Sequence, residues 1–149
     1  MMKKVLSIVI AMSLLLLAGQ VMAEKVMTPE SIEGVKVVNA EWVKANQDKV
    51  KVFDARKKGE YVEGHVPGSI SAPYKEKSAK VVDFDPSVDK MKMSKFPSDK
   101  STPIVVYCNG VKCWKSYKTI VALKKAGYTN LNWLRDGFPG WTEKGYPVE

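Results

Sequence analysis

The chain contains few histidine and cysteine residues, the usual ligands of structural zinc. Among its 149 residues there is one histidine, His65, and there are two cysteines, Cys108 and Cys113. A structural zinc site needs a full set of cysteine and histidine ligands. Because the sequence has no second cysteine pair, it predicts no metal site, and we expect no cofactor.

The sequence also lacks internal repeats, low-complexity segments and any sign of a domain boundary. Its 24 lysine and arginine residues outnumber 16 aspartate and glutamate residues, which gives a net charge of +8. The basic residues are spread over several segments rather than clustered with interleaved aromatic residues, so the pattern argues against nucleic acid as a partner. It indicates instead a solvated, lysine-rich surface that attracts small anions.

Residues 1–23 have the composition of a signal peptide. Lys3 and Lys4 precede an apolar stretch at residues 5–18, which is too short to span a membrane comfortably. Small residues at 21–23 predict cleavage before Glu24, and an uncleaved anchor is the alternative. No cysteine lies directly after the apolar stretch, which argues against a lipid anchor. We therefore expect residues 24–149 to form one periplasmic or secreted domain, with membrane contact only before cleavage.

Short apolar strands alternate with helices along the rest of the chain. Strands are predicted at 35–38, 50–53, 69–72, 104–107 and 131–134, and the main helices at 40–45, 86–94 and 114–126. This alternation predicts an α/β domain with about five strands in a mostly parallel sheet and helices on both faces. In the helix at 86–94 we expect Val88 and Met91 to be buried, and in the last helix we expect Lys118 to be solvated.

Cys108 ends an apolar strand and begins a short loop that leads into a helix. Loop N–H groups and the helix dipole favour an anion at such a place, so we expect a lowered pKa for the Cys108 thiol. In open α/β sheets this edge, which also carries Asp54, is where ligands bind. A bridge between Cys108 and Cys113 would span only four intervening residues and constrain the chain little. The pair therefore indicates chemistry rather than a structural staple.

Several ordered motifs resemble signatures of the rhodanese family. Phe53-Asp54-Ala55-Arg56 is similar to the family's Asp-x-Arg signature, and Gly64-His65-Val66-Pro67-Gly68-Ser69-Ile70 is similar to Gly-His-x-Pro-Gly-Ala. Residues 104–108 are similar to the strand that leads into the family's catalytic cysteine. Gly137-Phe138-Pro139-Gly140-Trp141, followed by Gly145-Tyr146-Pro147-Val148, is similar to the C-terminal signature. The resemblance covers about residues 28–149 and implies a single rhodanese-like domain at 24–149.

The resemblance implies that the chain is a sulfurtransferase. Cys108 would take sulfane sulfur from a small anionic donor, such as thiosulfate or polysulfide, and become a persulfide. It would then pass the sulfur to a thiol or to cyanide. The substrate-binding loop would comprise Asn109, Gly110, Val111, Lys112 and Trp114, with support from Asp54, Arg56 and His65. Related phosphatase loops are one residue longer and end on arginine, so we exclude phosphatase activity.

Cys113 departs from the common family loop, which ends there on arginine or another polar residue. Lys112, alone or together with Lys115, would supply the positive charge instead. Cys113 either attacks a persulfide on Cys108 as a resolving thiol or packs as a small hydrophobic residue. Trp114 is either a pocket wall or a core anchor, and His65 is either a base or a structural hydrogen-bonding residue. Two further functions stay open, namely a periplasmic thiol–disulfide or chalcogen redox protein and a persulfide carrier for a periplasmic partner enzyme.

Overall fold

The computed structural model describes residues 26–149 of the chain, so the predicted signal peptide at 1–23 lies outside the described residues. Five strands form one sheet: β1 (Lys36–Val38), β2 (Lys51–Asp54), β3 (Ile70–Ser71), β4 (Ile104–Tyr107) and β5 (Leu131–Leu134). All neighbours are parallel, in the order β1-β5-β4-β2-β3. The predicted α/β fold with about five mostly parallel strands is confirmed.

Within residues 26–149, four α-helices cover the sheet: α1 (Ala40–Asn46), α2 (Lys58–Glu63), α3 (Trp114–Lys125) and α4 (Gly137–Glu143). The start of α1 is fixed by Asn39, whose side chain accepts a hydrogen bond from the Trp42 N–H at 2.9 Å. Over the described residues, no helix has the length and apolar character needed to cross a membrane.

The central strand β4 is buried on both faces. Ile104 and Val106 pack in a cluster with α3, whereas Val105 and Tyr107 pack in a second cluster with α1 and α4. Burial of each aliphatic side chain contributes about 1.5–3 kcal/mol. The strand is therefore a rigid support, and its carboxyl end carries Cys108 to the edge of the sheet.

The helix predicted over residues 86–94 is wrong. This segment contains two short 3₁₀ helices, Pro86–Val88 and Met93–Lys95, with extended backbone between them. Val88 is 46% exposed rather than buried, although Met91 packs against the core as expected. The segment follows contacts with distant residues rather than the local apolar spacing.

Asp89 explains why this segment is extended. Its carboxylate accepts hydrogen bonds from the N–H groups of Lys77 and Ser78 at 2.6 and 2.7 Å, and from the Tyr74 hydroxyl at 2.7 Å. The next residue, Lys90, pairs through its backbone with Lys75 in an antiparallel bridge. The backbone of Asp89 is extended, and the bridge at Lys90 requires extended backbone that a continuous helix would not allow.

The expectation that Lys118 is solvated is also wrong. Lys118 lies on α3 but is fully buried, and its Nζ is 2.8 Å from a Glu76 carboxylate oxygen. The ammonium directs its hydrogen bonds to Ser78, at 2.7 Å to Oγ and 3.1 Å to the carbonyl oxygen. The contact with Glu76 is therefore an ion pair without an aligned hydrogen bond. A buried charge requires such partners, which tie α3 to the irregular segment.

We predict that Asp89→Asn destabilises the fold in a pH-dependent way. Partial burial raises the pKa of Asp89, but hydrogen bonds from Ser78 and the Lys77 N–H outweigh burial and lower the pKa to about 2. The unfolded value is about 3.9, so the ionised carboxylate stabilises the fold above about pH 4. This contribution is lost as the pH falls toward about 2. After allowance for solvent screening, we expect a loss of about 1 kcal/mol at neutral pH.

Urea denaturation of wild type and Asp89→Asn at neutral pH and near pH 3 measures this effect. The difference between the two free energies of unfolding should shrink at the lower pH. Asp48→Asn removes an exposed carboxylate and serves as the control, with little change at either pH. A difference for Asp89→Asn that stays constant with pH would contradict the prediction.

Candidate active site

The loop between β4 and α3 carries both cysteines. Cys108 is 1% exposed and follows the last residue of β4, and Cys113 precedes the first residue of α3. The two residues form a disulfide, with their Cα atoms 6.3 Å apart. The structure therefore describes the oxidised loop and places the two sulfur atoms within bonding reach.

Ser116, in the first turn of α3, directs two polar groups at Cys108. Its N–H lies 3.4 Å and its Oγ 3.2 Å from the Cys108 sulfur. The indole N–H of Trp133 donates to the same Oγ at 2.9 Å, which leaves the Ser116 hydroxyl hydrogen free for sulfur. When the disulfide is reduced, these donors can stabilise a thiolate or persulfide anion. Sequence reasoning missed Ser116, although its place in the first helical turn after the loop was a usable signal.

The backbone of the cysteine loop leaves donors free for a ligand. Within residues 26–149, the N–H groups of Asn109, Val111 and Lys112 have no hydrogen-bond acceptor. The loop is closed by a 2.9 Å bond from the Cys113 N–H to the Gly110 carbonyl oxygen. Free N–H groups gathered in one loop are suited to binding an anion. Lys112 is exposed at this loop, as an anion-binding residue would need to be.

Gly137 shows how tightly α4 approaches the loop. A Cβ atom at this position would lie 2.2 Å from the Cys108 carbonyl oxygen, and the backbone φ is +64°. The next N–H, from Phe138, donates to that same carbonyl oxygen at 2.8 Å. Only glycine allows this approach without displacement of the chain. The glycine of the C-terminal motif thus positions the backbone of Cys108.

Residues 28–29 are hydrogen-bonded to the cysteine loop and to Arg135, and we call them the strap. Thr28 donates from both its N–H and its hydroxyl to the Val111 carbonyl oxygen, each at 2.8 Å. Arg135 donates to the carbonyl oxygens of Thr28 and Pro29 at 2.7 and 2.8 Å and thereby holds the strap. The loop is therefore fixed from the outside as well as by the strand and helix that flank it.

Trp114 belongs to the core side of the loop. It is 2% exposed, packs edge-on against Tyr117 and donates its indole N–H to the Val26 carbonyl oxygen at 2.9 Å. Of the two interpretations from the sequence, this placement fits the core anchor. The structure does not bring the Trp114 ring to the accessible surface of the loop.

Asp54 and Arg56 lie in a buried network behind the cysteine loop. The Arg56 guanidinium donates to the Asp54 carboxylate at 2.7 and 3.1 Å and to the Gly64 carbonyl oxygen at 2.7 Å. Tyr107, which precedes Cys108, donates its hydroxyl to Asp54 at 2.7 Å. Burial lowers the pKa of Arg56, but Asp54 and Tyr107 outweigh it and raise the pKa above the ordinary value. Arg56 therefore stays charged, and within residues 26–149 neither its side chain nor that of Asp54 forms a hydrogen bond with the Cys108 sulfur.

The same network holds the Gly64–Gly68 turn against β4. The Tyr107 hydroxyl accepts a hydrogen bond from the Val66 N–H at 3.1 Å and lies 3.2 Å from Ser69 Oγ. Burial, followed by the charge of Asp54, raises the pKa of Tyr107, so this hydroxyl stays protonated at neutral pH. Tyr107 was not singled out from the sequence, although it directly precedes the cysteine.

His65 has structural contacts on both of its ring nitrogens. Nδ1 is 2.8 Å from the Tyr61 carbonyl oxygen and so donates the hydrogen, while Nε2 is 3.5 Å from a Glu149 carboxylate oxygen. The ring stacks on Tyr61, and the His65 backbone pairs with that of Glu149. In the described part of the chain, nothing brings the ring to Cys108. This geometry fits a structural hydrogen bond rather than a catalytic base.

Asn109 joins the cysteine loop to α2. Its side-chain amide donates to a Glu60 carboxylate oxygen at 2.6 Å. Burial raises the pKa of Glu60, but hydrogen bonds from Asn109 and the Lys57 N–H, with the charge of Lys115, outweigh it and lower the pKa. Glu60 is therefore ionised at neutral pH and anchors Asn109. The structure gives Asn109 a positioning contact at the edge of the loop.

Comparison with known proteins identifies the family. A sequence model of the family described as "Rhodanese-like domain" matches residues 39–144. The chain belongs to this family. Its sequence is 27% identical over 99 residues to "Thiosulfate sulfurtransferase 16, chloroplastic" of Arabidopsis thaliana, which covers 66% of this chain and 79% of that protein.

Solved structures agree on the fold. A rhodanese-related protein from Thermoplasma volcanium matches with a TM-score of 0.56 at 23% identity, over 76% of this chain and 97% of that one. A thiosulfate sulfurtransferase from Pseudomonas aeruginosa matches with a TM-score of 0.56 at 29% identity, over 77% of this chain. This chain spans only 20% of that protein. Together these similarities support the sulfurtransferase family for the chain.

We predict that Ser116→Ala, made in a Cys113→Ser background, slows alkylation of Cys108. The substitution removes the hydroxyl that lies 3.2 Å from the Cys108 sulfur. A hydrogen bond to a charged acceptor contributes about 1.5 kcal/mol, so its loss should move the midpoint of the pH profile up by about one pH unit. The pH profile of the iodoacetamide reaction should shift to higher pH and keep its plateau.

Thr119→Ala is the matched control for this experiment. Thr119 lies on the same helix, and its buried hydroxyl donates to the Lys115 carbonyl oxygen at 2.8 Å, away from sulfur. The pH profile of this control should stay unchanged. An unshifted profile in Ser116→Ala would contradict the role given to the hydroxyl.

Proposed function

We propose that the protein is a sulfurtransferase that moves sulfane sulfur from thiosulfate or polysulfide to a thiol or cyanide. The observation that carries this proposal is the placement of Cys108 at the end of β4, with the Ser116 donors directed at its sulfur. Membership of the rhodanese-like family supports the same chemistry. Cys108 is the proposed catalytic residue, and the loop N–H groups are the proposed anion ligands.

The proposed reaction has two displacement steps at sulfur. The reduced Cys108 thiolate attacks the sulfane sulfur of thiosulfate, a sulfur–sulfur bond forms, and sulfite leaves with the electron pair of the broken bond. Cyanide or a thiolate then attacks the terminal sulfur of the persulfide, and the Cys108 thiolate leaves. Sulfite is a stable anion, so the first step needs no general acid. The loop donors stabilise the negative charge on the thiolate and on the persulfide.

The disulfide must be reduced before this reaction cycle can begin. Cys108 has no free thiolate while it is bonded to Cys113. A thiol reductant must therefore cleave the disulfide before the first sulfur is accepted. The activity of the protein should accordingly depend on pre-reduction, as expected for a cysteine nucleophile.

Thiocyanate formation from thiosulfate and cyanide tests the proposed function. In pre-reduced protein, Cys108→Ser should lower the rate by roughly a thousandfold or more, because the attacking group is lost. Cys113→Ser is the matched control, since it removes the other sulfur of the same disulfide and keeps the nucleophile. Full activity in Cys108→Ser would refute the proposal.

The disulfide also favours a second candidate function, in which the two cysteines reduce sulfane sulfur. After Cys108 becomes a persulfide, the Cys113 thiolate would attack the Cys108 Sγ. The intramolecular disulfide forms, and hydrosulfide leaves with the electron pair of the persulfide bond. The two thiols are thereby oxidised and the sulfane sulfur is reduced, and an external thiol reductant restores the pair. The observed pairing is the product state of this reaction.

Sulfide release distinguishes the two candidates. Reduced wild-type protein, mixed with thiosulfate after removal of the reductant, should release about one sulfide per chain if Cys113 resolves the persulfide. Cys113→Ser should release almost none, because the attacking thiol is absent. Equal sulfide release from wild type and Cys113→Ser would contradict a resolving role for Cys113. Transfer of sulfur to an external acceptor would then be the remaining candidate.

We further propose that the domain acts after export, in the periplasm or outside the cell. The composition of residues 1–23 supports this placement. An oxidising compartment is compatible with a disulfide in the resting protein. Release of sulfur to a partner protein, as in a persulfide carrier, is one form that the thiol acceptor can take.

A further inference from the structure

A large, lysine-rich cleft lies beside the first turn of α3, which follows the cysteine loop. Its volume is about 1200 Å³, and seven lysines line it. Lys115, two residues beyond Cys113, forms the wall nearest the loop, together with Lys57 and Lys58 at the start of α2. The site described above does not account for the size or the charge of this cleft.

The far wall of the cleft comes from the irregular segment that precedes β4. It contributes Lys75, Lys90, Lys92 and Lys95, all of them exposed. Lys95 also donates to the Ser71 carbonyl oxygen, which fixes this wall to the end of β3. The positive charge therefore extends from Lys115, two residues beyond Cys113, to the opposite side of the cleft.

The two acidic residues of the cleft do not neutralise these lysines. Glu76 pairs with the buried Lys118, which is not a lining residue. Asp89 is held by hydrogen bonds from the Tyr74 hydroxyl and the neighbouring backbone. Both carboxylates are thus occupied within the fold, and the cleft presents a positive surface to solvent.

The size of the cleft exceeds the needs of a small inorganic substrate. Pockets for drug-sized molecules have volumes of about 300–1,000 Å³, whereas thiosulfate and cyanide are far smaller. Pro73 and Met91 provide apolar surface between the lysines, whose aliphatic stems can also pack on a ligand. An occupant that matches these features is extended, carries several negative charges and has an apolar portion, as an acidic peptide segment does.

We propose that this cleft docks an acidic segment of a partner protein whose cysteine accepts the sulfur from Cys108. The proposal rests on the sulfur-transfer function proposed above and names its acceptor. In the transfer, the partner thiolate attacks the terminal sulfur of the Cys108 persulfide. The bond between the two sulfurs breaks, the Cys108 thiolate leaves, and the partner keeps the sulfur as its own persulfide.

Synthetic peptides test this proposal. One peptide carries a cysteine flanked by aspartate and glutamate, and its matched control carries asparagine and glutamine at the same places. The pre-reduced protein is loaded with thiosulfate, and transfer rates are expressed per peptide thiolate. At low salt we expect the acidic peptide to react on the order of tenfold faster, with the preference falling toward unity as salt rises.

Charge reversal in the far wall should weaken this preference. Lys90→Glu and Lys92→Glu, made separately, should each lower the acidic-to-neutral rate ratio about threefold. Lys49→Glu makes the same charge change just before β2, at the opposite edge of the sheet, and should keep the wild-type ratio. The ratio corrects for any general loss of activity in a variant.

The outcomes separate this inference from the proposed function. If the protein transfers sulfur to cyanide but reacts equally fast with the two peptides, the acidic partner is overturned and the sulfurtransferase function stands. Lys92→Glu could instead change the rate at which polysulfide loads sulfur onto Cys108 and leave the acidic-to-neutral rate ratio unchanged. That result would assign the cleft to the sulfur donor and would also overturn the acidic partner. Failure of the wild-type protein to form any persulfide would refute the proposed function itself.

Discussion

The buried Asp54 carboxylate is the constraint on which the rest of the site depends. It lies at the carboxyl end of β2 with no exposure to solvent, where an ionised group is tolerated only with close partners. Arg56 and Tyr107 supply those partners and connect Asp54 to the Gly64 turn and to β4. One charged group therefore joins three segments of the chain at a single edge of the sheet.

The position of the reactive sulfur follows from this support. Tyr107 fixes the end of β4, and Gly137 allows α4 to approach the Cys108 backbone. Thr28 and Asn109 tether the loop through its carbonyl oxygen and its side chain rather than through its free N–H groups. The loop is therefore rigid, and its donors remain available to an anion, which is the preorganisation that transfer of a charged sulfur requires.

Features set by local sequence were predicted well, and features set by distant contacts were not. The strand and helix on either side of Cys108 follow from apolar spacing. Asp54 and Arg56, which the motifs singled out, lie in one network with Tyr107, the residue before Cys108. Lys118 is buried because Glu76 and Ser78, some forty residues earlier, are its partners. No periodicity on α3 signals those partners. Asp89 extends its segment in the same way, through bonds to residues that the local spacing does not include.

The most direct test of the account is the intact mass of reduced, desalted Cys113→Ser protein after exposure to thiosulfate. This variant keeps Cys108 and removes the thiol that would otherwise resolve a persulfide. We expect a mass gain of one sulfur atom, which should disappear when Cys108→Ser is added. An unchanged mass, in protein whose Cys108 still reacts with an alkylating agent, would contradict the central claim that Cys108 carries sulfane sulfur.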